Sequence, residues 1–203
     1  MYTANMPIVG THPEVDEERL IAAVINRKSP QSGYTSWDIR HTIVPTYRAV
    51  CTFVGLDAVM LIAQMLHETG NLASWWSQRP RRNPAGIGVT GRWRPWQPKD
   101  GRWERDGLIW REGVAFSSWE YTAIPAHAGR LLAYALPISD AILPAQYQLI
   151  MQALSVRSLP DHYRGIAPTW LGLVQTWAVS KVRPPVGQTY ADTIAAIANQ
   201  LMQ

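Results

Sequence analysis

The chain has 203 residues, of which 47% are apolar and 17% charged, with a formal net charge of +4. A chain of this size buries about two-thirds of its unfolded surface in one core, so a single folded domain is expected, and intrinsic disorder, which needs low hydrophobicity and high charge, is excluded. Ten Trp stand against two Phe, and sixteen Arg against three Lys, a bias toward flat, polar-tipped side chains suited to recognition surfaces.

The lone Cys51 permits no intrachain disulfide and no CxxC metal or redox site, and is expected to be a small buried residue. The chain starts without a basic stretch followed by an apolar one, and no apolar run approaches the roughly 18 residues of a spanning helix. Neither a signal peptide nor membrane insertion is expected.

Residues 1–13 read as an extended N-terminal arm and residues 14–203 as one domain. From Glu14 to about Lys28, Leu20, Ile21, Ala23, Val24 and Ile25 fall on one helical face. Thr35 or Ser36 caps a helical stretch to about Phe53, in which Pro45 begins a new helix or kinks the old one. Asp57 caps a helix over Ala58–Glu68 that Gly70 ends, and apolar residues almost all round it predict a buried central helix.

From Trp75 to Gly113 the periodicity vanishes, apart from a short hairpin across Asp106-Gly107 in RWERDGLIWRE. Ser117 or Ser118 then starts a helix through about Ala135, and Ser139 another to about Leu154. Leu159 to Pro168 reads as a loop, Thr169 to Thr176 as one or two helical turns, and Thr189 to Met202 as a final helix. The sum is a mainly helical α+β domain with one small β excursion over about 75–113.

The most informative residue is Glu68. A carboxylate ending a nearly all-apolar helix is expected to hold its proton toward neutral pH, because burial and the negative helix terminus both disfavour the charged form. A carboxylic acid of that kind protonates the leaving oxygen in glycosidic cleavage. The bland alternative is that Glu68 points to solvent and merely ends the helix.

His67-Glu68 also invites a zinc reading, but the second His of that motif would fall at Asn71, so the metal site fails. His12, His41, His127 and His162 show no metal-ligand spacing and read as structural or surface residues. Gly86, Gly88 and Gly91 formally match GxGxxG, yet Arg79-Pro-Arg-Arg-Asn-Pro84 precedes them where the dinucleotide fold needs a strand. They read better as a tight backbone path lining a cleft.

Seven of the ten Trp lie between Trp75 and Trp119, and eight of the sixteen Arg between Arg79 and Arg111. Stacked aromatics with Arg suit single-stranded nucleic acid. They suit a glycan equally well, since sugar rings offer flat C–H faces to indoles. A third reading is a loop stapled down by its own aromatics.

Taken in order, LIAQMLHETGNLASWW (Leu61 to Trp76), NPAGIGVTG (Asn83 to Gly91), GVAFSSWEYTAIPAHAGRLLAYA (Gly113 to Ala135) and RGIAPTWLGLVQTWAV (Arg164 to Val179) with the Tyr190-Ala-Asp-x-Ile194 helix resemble the glucosaminidase family of peptidoglycan hydrolases. The resemblance runs from about Gly55 to Leu201. It implies a lysozyme-like fold, with a glycan cleft between a helical lobe and a small β lobe. It also implies cleavage of the β-1,4 bond after N-acetylglucosamine in peptidoglycan, with Glu68 at the catalytic acid position.

For the second carboxylate, Glu104 best matches the family's hairpin Glu, with Asp106 and Glu112 as rivals and the substrate's own acetamido group as the substitute if none reaches the cleft. Trp75, Trp76, Asn83, Gly86, Gly88, Trp119 and Trp177 are the expected substrate-binding residues. Trp177 departs from the family, whose members often carry Tyr there.

The expected protein is therefore a monomeric, metal-independent and cofactor-free glycosidase acting on the glycan strand at the bacterial cell wall, as a secreted or phage-lysin-like protein. The alternatives are muramidase specificity, a non-catalytic glycan-binding module of the same fold and, remotely, a nucleic-acid-binding protein.

Overall fold

In the computed structural model, which describes residues 1–137, 139, 143–178 and 189–203, three helical runs of the first half each start on a side-chain cap. Asp16 accepts from the Arg19 N–H and starts α1 (Glu17–Arg27), which buries Leu20, Ile21 and Val24. Thr35 forms a capping box with Asp38 and starts α2 (Ser36–Asp38), which runs through a π-helical segment, Ile39–Ile43, into α3 (Val44–Val54). Asp57 accepts from the Met60 N–H and starts α4 (Ala58–Glu68), in which Val59 to Leu66 are all buried. This is the central helix that the apolar pattern predicts.

Pro45 explains the π segment. Proline offers no N–H and its ring collides with the carbonyl four residues back, so one wider turn before it lets the helix continue without breaking. The same solution recurs after Ser118, where π-helical Trp119–Ala123 leads into α5 (Ile124–Ala135) with Pro125 in its first turn. In both stretches a π segment therefore leads into the α-helix that carries the proline.

Every residue of α5 except Arg130 is buried. It packs on α6 (Pro144–Val156) through Gly129, where an added Cβ would overlap the Leu149 carbonyl. The expected helix start at Ser139 adjoins residues 140–142, which lie outside the described residues. Two 3₁₀ segments, Asp161–Tyr163 and Trp170–Gln175, lead toward α7 (Tyr190–Leu201), which opens on a capping box between Thr189 and Asp192.

The first residues make one turn, with the Met6 N–H bonded to Thr3 O, and belong to the core. Ile8 is fully buried and its N–H bonds to Pro168 O at 2.9 Å, while Tyr2 exchanges two backbone hydrogen bonds with the Asn199 side chain on α7. Cys51 is free and buried.

The β excursion is a three-stranded antiparallel sheet in the order β1 (Trp93–Arg94), β3 (Ile109–Glu112), β2 (Trp103–Asp106). Asp106 pairs with Ile109, so the two-residue turn is Gly107-Leu108, one position later than Asp106-Gly107. Only Gly107 has a positive φ, 59°, the pattern of a type II′ turn that places Gly first. The architecture is thus α+β, mainly helical with one small sheet. No described helix is long and apolar enough to cross a membrane.

Candidate active site

Glu68 is the last residue of α4, and the chain that follows it is unusually wound. Gly70, Asn71 and Leu72 all take left-handed conformations, with φ of 57°, 56° and 65°. That region is uncommon for any side chain and costs most for a bulky one, about 1–3 kcal/mol. The turn is held because the Asn71 N–H bonds to Leu66 O at 2.7 Å, the Leu72 N–H bonds to Thr69 Oγ1 at 2.9 Å, and the Leu72 side chain is fully buried. The helix end is therefore anchored on both sides of the carboxylate.

The Glu68 side chain is half-buried, and two donors converge on one of its oxygens. Trp177 Nε1 donates to Oε1 at 3.0 Å and the Tyr190 hydroxyl donates to the same atom at 2.6 Å. Oε2 takes no hydrogen bond from any described residue. Burial among apolar groups, the environment expected from the helix pattern, is replaced by direct solvation of Oε1 by the protein.

Behind Tyr190 a polar chain runs into the core. Gln64 Nε2 donates to the Tyr190 hydroxyl at 2.8 Å, Gln64 Oε1 lies 3.1 Å from His127 Nε2, and His127 Nδ1 lies 2.9 Å from the Tyr47 hydroxyl. Gln64, His127 and Tyr47 are completely buried. Burial pushes the His127 imidazole down to about 3, so it is neutral with a single N–H. Burial, and then the neighbouring Glu68 charge, push the Tyr190 phenol well above its usual range, so it remains a donor.

Glu68 opens onto a cleft of about 540 Å³. The cleft is lined by Glu68 with His67, Tyr190 and Trp177, by the Gly86 to Val89 loop, and by Arg130, Tyr134 and Arg157. Gly88 has a φ of 72° and lies so close to Val114 that a Cβ would come within 2.8 Å of its Cγ2, so the wall requires glycine there. Arg130 is fixed by two hydrogen bonds from Nη1, to Arg157 O at 2.6 Å and Ser158 O at 3.1 Å. Glu68 is the one carboxylate among the described lining residues. Residues 179–188, which follow Trp177 and Ala178 in the chain and lie outside the described residues, contain no Asp or Glu.

Of the sequence-predicted residues, Glu68, Gly86, Gly88 and Trp177 meet in this cleft. The others do not line it. Asn83 is buried and spends its amide internally, Nδ2 donating to Ile87 O and Val114 O while Oδ1 accepts from the Ala85 and Ile87 N–H groups. It clips the Gly86–Val89 wall in place rather than binding a ligand. Trp119 is only 4% exposed and packs edge-on against Tyr34, so it is a core residue. The Trp76 ring fills the space where a Cβ on Gly113 would sit, and Trp75 is covered by the Arg81 guanidinium 3.6 Å from its ring centroid.

The second-carboxylate candidates also lie elsewhere. Glu104 sits on β2 opposite Arg111, Asp106 pairs with Arg111 Nε at 2.6 Å, and Glu112 is gripped by Arg92 and Thr90. Those hydrogen bonds hold the Glu112 carboxyl below its usual range. Glu112 lines a different groove of about 610 Å³, with Arg94, Trp96, Lys99 and Trp103. The Arg/Trp stretch is thus partly core, partly self-stapled and partly this outer groove, and only its glycine loop reaches Glu68.

Sequence reasoning missed Tyr190, Gln64, Tyr134, Arg130 and Arg157 as site residues, and read His127 only as structural. The one local signal was the Thr189-x-x-Asp192 capping box, which places Tyr190 at the first position of a helix and so at its exposed end. No family model, curated protein or solved structure matches this chain.

Proposed function

We propose that this chain is a lysozyme-like glycoside hydrolase that cuts the β-1,4 bond after N-acetylglucosamine in the peptidoglycan strand at the bacterial cell wall, with Glu68 as general acid. The observation that carries the reading is the two-donor grip on Glu68 Oε1. An indole N–H can only donate, so Oε1 is committed as an acceptor, and Oε2, which takes no hydrogen bond from any described residue, is the oxygen from which Glu68 would give a proton. The proton is thus held toward the glycosidic oxygen, the group that must be protonated as the bond breaks.

With Glu68 as the one carboxylate among the described lining residues, the substrate's acetamido oxygen is the internal nucleophile in this reading. It attacks the anomeric carbon as the glycosidic oxygen takes the Glu68 proton. The resulting carboxylate is stabilised by Trp177 and Tyr190, and water delivered through the same group completes hydrolysis. Arg130 and Arg157 give the cleft a cationic end that suits carboxylates carried by the strand.

The test is to incubate the protein with purified peptidoglycan, reduce the released fragments with borohydride and identify the alditol by mass spectrometry. N-acetylglucosaminitol is expected. N-acetylmuramitol would transfer the reading to a muramidase, and binding without new reducing ends would make this a glycan-binding module.

A further inference from the structure

We propose that Gln64 and His127, neither of which contacts the carboxylate, are positioning residues that force the Tyr190 hydroxyl to donate to Glu68 and thereby fix which Glu68 oxygen carries the proton. The proposal rests on Glu68 being the acid, but its test does not depend on hydrolysis being observed.

The chain Tyr47, His127, Gln64, Tyr190, Glu68 has two self-consistent directions. In the forward direction Tyr47 donates to His127 Nδ1, His127 Nε2–H to Gln64 Oε1, Gln64 Nε2–H to Tyr190, and Tyr190 to Glu68. In the reverse direction His127 carries its proton on Nδ1, the Gln64 amide is flipped, Tyr190 donates to Gln64, and Glu68 donates from Oε1 to Tyr190.

Both ends of the chain select the forward direction. At the inner end the fully buried Tyr47 hydroxyl has His127 as its hydrogen-bond partner, and reversal would leave its proton unbonded in the core, which buried donors avoid. At the outer end the Trp177 N–H already points at Oε1, and an oxygen that has become a hydroxyl is a poor acceptor for it. The neutral His127 is the joint between the ends. Having one N–H and one bare nitrogen, it converts the direction set by Tyr47 into the orientation of the Gln64 amide, and so into the direction of the Tyr190 proton. Each bond also polarises the next in the dry interior.

Glu-selective ¹³C labelling and NMR titration of the Glu68 carboxyl read this directly, because the pH midpoint of its chemical shift reports how many donors stabilise the charged form. Tyr190→Phe removes one donor and is expected to move the midpoint to higher pH. Gln64→Met fills similar space and makes no claim on the Tyr190 proton. Without the Gln64 donor the Tyr190 hydroxyl is no longer held toward Glu68, so the midpoint of this variant is expected to rise, by less than in Tyr190→Phe.

A residue that mattered only for packing would leave the midpoint unchanged in the Met variant, which fills the same space. A folded Met variant with the wild-type midpoint, or a Tyr190→Phe variant with it, would overturn the proposal. Circular dichroism of each variant checks that it is folded. If the wild type cleaves peptidoglycan, the alkaline limb of its activity should move with the midpoint in each variant. If it does not, the reading of function fails while the midpoints still decide whether the relay exists.

Discussion

The Tyr190 hydroxyl donates to Glu68 Oε1 across 2.6 Å although 122 residues separate the two in sequence. That contact joins the end of α4 to the start of α7, and the indole of Trp177 completes it from the segment between. The acid is therefore held by three parts of the fold at once, and its environment responds to changes remote from it.

Trp177→Phe tests the second donor. The phenyl ring keeps apolar packing near Tyr134 and His127, whose rings lie 5.6 and 5.9 Å from the indole, but loses the N–H. A hydrogen bond to a charged group is worth about 1.5–3 kcal/mol, so a fall in kcat of roughly tenfold or more is expected as the Glu68 carboxylate forms. Steady-state kinetics on soluble glycan fragments would show it, and an unchanged kcat would remove Trp177 from the machinery.

His127 predicts a pH dependence of stability. Its imidazole is pushed from 6.5 to about 3 by burial, so between these values the unfolded chain binds a proton that the fold refuses. Stability contributed by the neutral ring is whole above about pH 6.5 and is lost as pH falls, with a slope of about 1.4 kcal/mol per pH unit from this group. Urea unfolding of the wild type and of His127→Gln from pH 7 to 4 should show a shallower acid dependence in the variant.

Asn83→Ala separates clipping from binding. It leaves the N–H groups of Ala85 and Ile87 and the carbonyls of Ile87 and Val114 without their side-chain partner. A loss on the order of 3 kcal/mol is expected, lowering Tm by roughly 6–12 °C. A variant with the wild-type Tm but weakened glycan binding would restore Asn83 as a ligand-contacting residue.

Gly129→Ala tests the closest approach of α5 and α6. The added methyl meets the Leu149 carbonyl, a backbone group that cannot rotate away, so the helices must separate. Overpacking of this kind costs about 1–3 kcal/mol, more than Ala gains from its helix propensity. Calorimetry should show a lower Tm.

The helical frame was legible because its signals are local. Asp57 caps α4, Thr35 caps the helical run that holds Pro45, and the unbroken apolar girth of Val59–Leu66 marks the central helix. Glu68 followed from its place at the end of that helix. The hairpin was legible too, but Asp-Gly alone does not say whether Asp closes the strand or opens the turn, and pairing with Ile109 decides it.

Much of the cleft was not legible, because a Trp-rich stretch does not say which indoles face inward. Trp119 is drawn into the core by the helical run that starts at Ser118, while Trp93 and Trp96 are left 55% and 65% exposed on the sheet edge. Gln64, His127 and Tyr190 each look ordinary in their own helices. Their meaning lies in contacts spanning 63 and 126 residues, which no local pattern encodes.

Glu68→Gln removes the acidic proton from the cleft with the least change of shape. The Gln carbonyl oxygen can accept the Trp177 and Tyr190 hydrogen bonds in place of Oε1, so the fold and the cleft should persist while the acidic proton is gone. Release of reducing ends from purified peptidoglycan, compared between wild type and variant at equal concentration, is expected to be clear for the wild type and to fall to the uncatalysed level for Glu68→Gln. Equal release by both proteins would contradict the account.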